Sequence, residues 1–252
     1  VGHGFDTSVL SRNPESLTSD PIYSRCTIHN GDVNDMDSIL RASKDCNTII
    51  SLQAPRPRRY PKLSDLWNHP KEDKNHPYSV NFLGVKRILA AMTINKVSKL
   101  IRITGALTDK NAFSPFVFLF NLLSSFRIKW NELSEIDIRR NGVDYTVIRP
   151  SDILDSFQSS SSNLTTPTTP NVLHVHSADN VSSNPTLKLP FKAITVADLS
   201  SLIVHAIQDD RLKKTTLLVS SAPGGIGATT WDQAITASNL RPDTKALQRR
   251  NH

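Results

Sequence analysis

The 252-residue sequence has few cysteines and no long hydrophobic run, and each shortage excludes a class of protein. Its two cysteines, Cys26 and Cys46, have neither the spacing of metal ligands nor that of a disulfide framework, which favours a reducing compartment. The longest apolar run, residues 116–123, is interrupted by Asn121 and is far shorter than the ~20 residues that span a bilayer. The sequence therefore predicts no metal site, no disulfide scaffold and no membrane span.

The sequence also lacks a visible signal peptide and any nucleic-acid-binding motif. Lys and Arg number 30 against 23 Asp and Glu, which gives a net charge of +7, but the basic residues are spread along the chain. This charge favours anionic ligands in general and does not indicate nucleic acid. We expect a cytoplasmic protein, with an organelle left open because the chain begins with Val1 and not with Met.

Residues 129–150 carry the clearest local pattern in the chain. Residues 129–140 have helical character, and Asn141-Gly142 supplies a left-handed helix stop. Residues 145–148 are four consecutive uncharged β-formers, which predicts a strand buried on both faces, as in a parallel sheet covered by helices. Arg149-Pro150 ends this strand because proline donates no backbone hydrogen bond. Ligands bind beyond this end of a strand in open α/β sheets.

The same stretch resembles a family signature. The pattern Glu135-x-x-Ile138-Arg139-x-x-Gly142-Val-Asp-Tyr-Thr-Val-Ile-Arg-Pro150 is similar to that of the atypical short-chain dehydrogenases, the NmrA-like NAD(P)H-binding proteins. The resemblance covers roughly residues 1–220, apart from loops at 55–76 and 156–170. It implies a single α/β domain over residues 1–252 with a Rossmann-like, doubly wound parallel sheet. Residues 1–150 would form the nucleotide-binding core, 151–220 the substrate side and 221–252 a tail.

The resemblance implies that part of this core is missing. Residues 4–15 resemble the second strand of the family, and about 30 residues would precede them in a family member. Those residues would form the first strand, the Gly-rich phosphate loop and the first helix. We therefore expect an N-terminally truncated chain that lacks the pyrophosphate cradle. Such a chain is expected to bind NADP weakly and to fold poorly by itself.

Three residues near the ends of the first two predicted strands are implied to contact the adenosine part of the cofactor. Arg12 follows a neutral strand end and suits the 2′-phosphate of NADP, whereas a fold that prefers NAD usually has a carboxylate there. NADP is therefore favoured over NAD, with a solvated surface arginine as the alternative. Asp32 would accept a hydrogen bond from the adenine amino group, and Val33 would offer a backbone contact. Asp35 is predicted to cap the following helix.

Further cofactor contacts are implied at the ends of three later strands. They are Ser51, Leu52, Thr104, Gly105 and Pro150. Ser51 and Leu52 would run beside the ribose and pyrophosphate. Thr104 stands where related enzymes place a catalytic serine, and its hydroxyl can make the same hydrogen bonds. A strand-end threonine that caps a turn is the alternative. Asn81, in a predicted amphipathic helix over residues 78–92, would also lie near the cofactor.

The catalytic pair of common short-chain dehydrogenases, Tyr-x-x-x-Lys, occurs nowhere in the chain, and the corresponding positions are Arg127 and Asn131. In that pair the lysine lowers the pKa of the tyrosine, which passes a proton during hydride transfer. No catalytic residue is therefore assigned. The resemblance implies an NADPH-dependent oxidoreductase in its complete form, acting on an unknown small molecule. A non-catalytic NADP(H)-sensing module and a truncated inactive fragment are the alternatives, and no oligomeric state is indicated.

Other segments carry weaker indications. The basic, proline-rich loop 53–62 is either a positive surface over the cofactor or a solvated insertion, and the apolar run 113–126 predicts a core or contact helix. Residues 159–169 predict a flexible loop. Thr195-x-x-Asp198 resembles a capping box at the start of a helix. The glycines of 224–227 lie between a predicted strand and helix, but their spacing does not match a dinucleotide fingerprint.

Overall fold

The structure, a computed structural model, describes residues 4–55, 73–108, 119, 121, 124–150, 152–154, 171–178, 193–223 and 226–243. Its strands are β1 Thr7–Ser11, β2 Cys26–Asn30, β3 Thr48–Ser51, β4 Lys99–Ile103, β5 Asp144–Pro150, β6 Ile153–Leu154, β7 Asn171–Ser177, β8 Ile194–Thr195 and β9 Thr215–Pro223. Its helices are α1 Glu15–Thr18, α2 Met36–Ala42, α3 Gly84–Asn95, α4 Arg127–Asn141, α5 Val196–Gln208 and α6 Trp231–Ser238. A π-helical turn, Tyr78–Leu83, leads directly into α3.

The chain divides into two compact units. The first contains residues 1–49, 53–98 and 122–141, and the second contains 50–52, 99–121 and 142–252. The prediction of one domain over the whole chain is not tested by this division and stays a prediction. Each unit has its own sheet, helices and part of the predicted site.

The first unit is built on the parallel pair β1–β2. The two strands pair in register from Thr7 opposite Cys26 to Ser11 opposite Asn30. Helix α2 packs against both strands and against α3, while α4 packs against α3 and the π turn. Asp35 caps α2, because its carboxylate accepts hydrogen bonds from the backbone N–H groups of Asp37 and Ser38. This cap was predicted, and it fixes where the chain leaves β2.

The second unit contains most of a five-stranded sheet with the order β3-β4-β5-β9-β7. Strand β5 pairs in parallel with β4 and with β9. Strand β7 is antiparallel to β9, with Asn171 opposite Pro223. The sheet is therefore mostly parallel, which confirms the predicted Rossmann-like fold class, and it carries one antiparallel strand at its edge. Such an edge strand is common in large α/β sheets.

One face of this sheet packs against α5 and α6 to form the largest apolar cluster of the second unit. Strand residues in the cluster include Ile101, Ile148, Leu217 and Val219, and the helix residues include Leu199, Leu202, Ala206, Trp231, Ala234 and Ile235. Burial of these side chains from water is the main stabilising term. Buried Lys99 donates hydrogen bonds from Nζ to the carbonyls of Ala206 and Ile207 near the end of α5, where a cation suits the helix dipole.

Within the described residues the strands form separate sheets. β1 and β2 form a two-stranded sheet of their own, and β3 belongs to the five-stranded sheet. The predicted absence of the family's first strand is not tested by these assignments and stays a prediction.

Most predicted elements are present with small changes of length. Residues Tyr145 to Ile148 are all buried, as predicted, and Gly142 ends α4 with a φ of +86°. The helix predicted over 78–92 instead begins as the π turn. The loop at 56–62, most of the apolar run 113–126, the loop 159–169 and Gly224 and Gly225 lie outside the described residues. No described helix is long and apolar enough to cross a membrane.

Candidate functional site

The eight predicted cofactor contacts fall into two groups. Arg12, Asp32 and Val33 belong to the first unit, and Ser51, Leu52, Thr104, Gly105 and Pro150 belong to the second. Every one of them lies at or just beyond the carboxyl end of a strand.

The structure places Arg12 and Asp32 close together. Strands β1 and β2 end side by side, and the backbone N–H of Gly31 donates to the carbonyl of Ser11 at 3.0 Å. Arg12 Nε then lies 3.8 Å from Asp32 Oδ2, with the two side chains 40% and 28% exposed. An exposed pair at this distance contributes less than about 1 kcal/mol, so a ligand phosphate can compete with the carboxylate for Arg12.

Asn34 holds the Asp32 carboxylate from the same loop. Its backbone N–H and its side-chain Nδ2 both donate to Asp32 Oδ1, at 2.8 and 2.9 Å. The same Nδ2 donates to the carbonyl of Lys74 at 2.9 Å. Asp32 therefore has one oxygen occupied by Asn34, while its other oxygen faces Arg12.

Two residues from outside the strands complete this cluster. Arg12 Nη1 donates to Asn75 Oδ1 at 2.8 Å, and Arg87 Nη1, on α3, lies 3.5 Å from Asn34 Oδ1. The sequence did not indicate Asn75 or Arg87, because their neighbours lie more than 50 positions away along the chain. Asn34 could have been found, since an Asx residue next to Asp32 in a tight turn favours hydrogen bonds of this kind.

The loop that contains Val33 lies close to the start of α3. A methyl group placed on Gly84 would come within 3.3 Å of Val33 Cγ2, so a small residue at this position allows the contact. The preceding π turn buries Ser79 and Asn81, at 3% and 2% exposure, and no described residue forms a hydrogen bond with Ser79 Oγ or Asn81 Oδ1. Turns of this type occur frequently at functional sites. A buried oxygen without a donor is costly, and a ligand N–H group could satisfy it.

In the second unit, Thr104, Gly105 and Pro150 lie where β4 and β5 end. The pairing continues past β4, because the N–H of Thr104 donates to the Ile148 carbonyl and that of Ala106 to the Pro150 carbonyl, both at 3.0 Å. Thr108 Oγ1 closes the turn by donating to the Gly105 carbonyl at 2.7 Å. A methyl group on Gly105 would meet no atom of the described residues within 4 Å. Hydrogen bonds therefore hold the backbone at this strand end, and no described residue fills the space that a side chain at position 105 would occupy.

Ser51 and Leu52 differ in their surroundings. Ser51 is buried, and both its carbonyl and its Oγ accept from Arg102 Nη1 at 3.2 Å. Leu52 is 62% exposed, so it is accessible to a ligand. The sequence did not predict a functional or structural role for Arg102, which is only 1% exposed. A buried guanidinium in an interior strand requires several acceptors, and the Ser51 oxygens supply two of them.

The positions that would carry the Tyr-x-x-x-Lys pair lie on the first turns of α4. Arg127 is the first residue of the helix and is exposed, whereas Asn131 is buried, at 8% exposure. Neither side chain can act as a phenolic proton donor. The catalytic acid of the common enzymes therefore has no equivalent at these positions.

Two histidines on β7 were not singled out from the sequence. The strand register aligns His176 with Leu218 of β9, and Leu218 with Arg149 of β5. Burial, and to a smaller extent the neighbouring His174, lowers the pKa of His176 below its ordinary value. Its imidazole is therefore neutral near pH 7, a form that can both donate and accept one hydrogen bond.

Comparison with solved structures supports the fold. The oxidoreductase ylbE from Lactococcus lactis has a TM-score of 0.58 at 12% identity, over 90% of this chain and 83% of that one. ChuY, an anaerobillin reductase from Escherichia coli O157:H7, has a TM-score of 0.56 at 12% identity, over 90% of this chain and 89% of that one. A short-chain dehydrogenase/reductase from Veillonella parvula in complex with NADP has a TM-score of 0.51 at 13% identity, over 85% of this chain and 80% of that one. At these identities the likeness concerns the fold alone.

Comparison of the sequence identifies the family. No match is found among proteins with curated descriptions. The sequence model of a family described as NAD(P)H-binding matches residues 1–184, which is more than two thirds of the chain and includes every predicted cofactor contact. The chain therefore belongs to this NAD(P)H-binding family, which confirms the resemblance to atypical short-chain dehydrogenases.

Proposed function

We propose that this protein binds NADP(H) and is an NADPH-dependent oxidoreductase. The observation that carries the proposal is the cluster at the ends of β1 and β2, where Arg12 and Asp32 lie 3.8 Å apart. A guanidinium there supplies the charge that a 2′-phosphate requires, and the carboxylate accepts from an amino group of the base. The family match supports NAD(P)H binding, and the preference for NADP is our inference from Arg12.

The residues present fit the adenosine end of this cofactor. Arg12 would bind the 2′-phosphate, Asp32 the adenine amino group, and Val33 the base through its backbone. The exposed position of Arg12 and its loose pairing leave it able to bind a phosphate. The bound cofactor would supply the hydride in a reduction.

The resemblance assigns the residues of the second unit to the rest of the cofactor. Thr104 and Gly105 would lie against it with their backbone held by the pairing to β5, and Gly105 leaves room for close approach. Leu52 would offer an exposed apolar surface, while Ser51 and Pro150 hold their strand ends in place. These assignments rest on the family resemblance together with the local geometry of each strand end.

A non-catalytic NADP(H)-sensing module is the second candidate, and one observation favours it. Exposed Arg127 and buried Asn131 occupy the positions of the catalytic tyrosine and lysine, so the usual proton donor is absent there. Such a module would bind the cofactor without turnover. The third alternative, an inactive fragment, would neither bind the cofactor nor turn it over.

The test of NADP(H) binding is isothermal titration of the full chain with NADPH and with NADH. We expect the dissociation constant for NADPH to be the smaller of the two, and Arg12→Ala to remove most of the difference. The loss of one charged hydrogen-bonding partner should weaken NADPH binding roughly 10- to 100-fold and leave the affinity for NADH nearly unchanged. Equal affinities in the unmodified protein would contradict the proposal.

The matched control is Arg25→Ala. Arg25 is exposed and precedes β2, so it lies at the amino ends of β1 and β2, opposite Arg12. Both variants remove one positive charge from the first unit, and only Arg12→Ala should change the preference for NADPH. An equal loss in both variants would indicate a general charge effect and would contradict the assignment of Arg12.

Turnover separates the two main candidates. Oxidation of NADPH, followed by its absorbance against a panel of carbonyl and enone compounds, identifies an oxidoreductase. Tight NADPH binding without oxidation of any compound supports the sensing module instead.

A further inference from the structure

We propose that Asn34 is a positioning residue that holds Asp32 as an acceptor for an exocyclic amino group, and that Arg87 fixes Asn34. This inference rests on the proposed NADP(H) binding and explains how the site selects the base. Neither residue contacts the ligand in this account. Their effect is to decide which oxygen of Asp32 is presented to it.

The two oxygens of the Asp32 carboxylate have different neighbours. Oδ1 accepts two hydrogen bonds, from the backbone N–H and the Nδ2 group of Asn34, at 2.8 and 2.9 Å. Oδ2 has Arg12 Nε at 3.8 Å, which is beyond hydrogen-bonding distance. The carboxylate cannot rotate without breaking both bonds to Asn34. Among the described residues no group forms a hydrogen bond with Oδ2, so this is the oxygen that remains for a ligand.

The neighbours of the Asn34 amide favour one of its two orientations. Its Nδ2 faces two acceptors, Asp32 Oδ1 and the Lys74 carbonyl, while its Oδ1 faces a donor, Arg87 Nη1. A flipped amide would place an oxygen against both acceptors and a nitrogen against the guanidinium. All three neighbours therefore select the same orientation, and Arg87 contributes by attracting the amide oxygen from α3.

The chemical class of the ligand follows from these contacts. A carboxylate oxygen can only accept, so the group opposite Oδ2 must be an N–H or O–H donor. Adenine carries an exocyclic amino group that can donate in this way, whereas hypoxanthine has a carbonyl oxygen at the same position. The site should therefore prefer an adenine nucleotide to the corresponding hypoxanthine nucleotide.

The experiment uses 2′-AMP and inosine 2′-monophosphate as probes, titrated into the full chain by NMR or calorimetry. The two differ at the base, and both carry the 2′-phosphate that Arg12 would bind. We expect the unmodified protein to prefer 2′-AMP by roughly 3- to 10-fold, the size of one hydrogen bond. Asn34→Ala should weaken the binding of 2′-AMP by that factor and leave the binding of the inosine nucleotide unchanged. If Asn34 had only a structural role, its replacement would weaken the binding of both nucleotides equally.

Two variants of α3 provide a matched pair. Arg87→Gln removes the contact with Asn34 Oδ1, whereas Lys86→Gln removes the same charge from the adjacent position, where Lys86 Nζ lies 3.6 Å from Asp137 Oδ2. We expect Arg87→Gln to reduce the base preference and Lys86→Gln to retain it. Because Asn34→Ala could also affect folding, the urea midpoint of each variant is measured. The Arg87→Gln variant leaves Asn34 in place, so its result does not depend on whether Asn34→Ala folds.

The outcomes separate this inference from the proposed function. If the unmodified protein binds neither nucleotide, the proposed NADP(H) binding is wrong and the positioning role falls with it. If it binds both without preference, or if the preference survives in Asn34→Ala and Arg87→Gln, the positioning role alone is overturned. Loss of preference in Asn34→Ala and Arg87→Gln, but not in Lys86→Gln, supports it.

Discussion

At the scale of single residues, two glycines have opposite relations to the structure around them. A methyl group on Gly31 would overlap Ser38 Oγ and Cβ and would lie 2.9 Å from Leu10 Cδ1. A methyl group on Gly105 would meet nothing within 4 Å. The absence of a side chain at Gly31 is therefore explained by packing between β2 and α2, while Gly105 has no such explanation within the described protein.

This contrast predicts different results for the two alanine substitutions. Gly31→Ala should destabilise the protein by about 1–3 kcal/mol, because Ser38 belongs to α2 and has little room to move. Gly105→Ala should leave the unfolding midpoint nearly unchanged and weaken NADPH binding, if the cofactor lies against this backbone. Urea denaturation and calorimetric titration of both variants check this pair. A Gly105→Ala protein with unaltered NADPH affinity would contradict the assignment of Gly105.

Single residues also show how far the sequence could predict the site. The proximity of Arg12 and Asp32 was predictable, because each follows a strand by one or two positions and the strands are parallel neighbours. The contribution of Arg87 was not, because it depends on how α3 packs beside the loop after β2. The unpaired Asn81 oxygen depends on a π turn, and no propensity in the sequence distinguishes that turn from an ordinary first helical turn.

At the scale of secondary-structure elements, the start of α5 offers a direct test of a predicted cap. Thr195 Oγ1 accepts from the N–H of Asp198 at 3.1 Å and donates to Asp198 Oδ2 at 2.8 Å. Thr195→Ala removes both bonds and should cost about 1 kcal/mol of unfolding free energy. Thr195→Ser retains the hydroxyl and should lose little. Equal midpoints for the alanine and serine variants in urea denaturation would contradict the cap.

The connection between α5 and α6 predicts a pH dependence of stability. Arg211 donates hydrogen bonds to Asp209 and also to Asp232 on α6. The bonds from Arg211, and a smaller one from His205, lower the pKa of Asp209 from 3.8 to about 2. A carboxyl whose pKa is lower in the folded state stabilises the protein above its unfolded pKa. That contribution is lost as the pH falls from 3.8 toward 2.

The corresponding experiment compares Asp209→Asn with the unmodified protein in urea at several pH values. The variant should be less stable near neutral pH, and the difference should shrink as the pH falls below about 4. Asp210→Asn is the control, since Asp210 is 79% exposed and pairs with Lys213 instead. A stability difference for Asp209→Asn that stays constant down to about pH 2 would show that the ion pair does not lower this pKa.

Elements were easier to predict than their details. The run of β-formers in β5 and the Asn-Gly stop before it determine a buried strand after a helix, and both are present. The antiparallel direction of β7 was not predictable, because it depends on the path of the preceding segment. The sequence carries local propensity strongly and the direction of strand pairing only weakly.

At the scale of the whole molecule, the family match and the fold agree. The NAD(P)H-binding family model matches residues 1–184, and the five-stranded sheet is mostly parallel, as a Rossmann-like fold requires. The strand ends of both compact units carry the residues proposed to contact the cofactor. The central claim is therefore that NADP(H) binds at the carboxyl ends of these strands.

Hydrogen–deuterium exchange of the full chain, with and without saturating NADPH, tests that claim most directly. Peptides covering residues 30–35 and 104–106 should exchange more slowly when NADPH is present, and NADH should protect residues 30–35 less than NADPH does. Peptides from α5 and α6 serve as internal references and should not change. Protection confined to other parts of the chain, or no protection at all, would contradict the account.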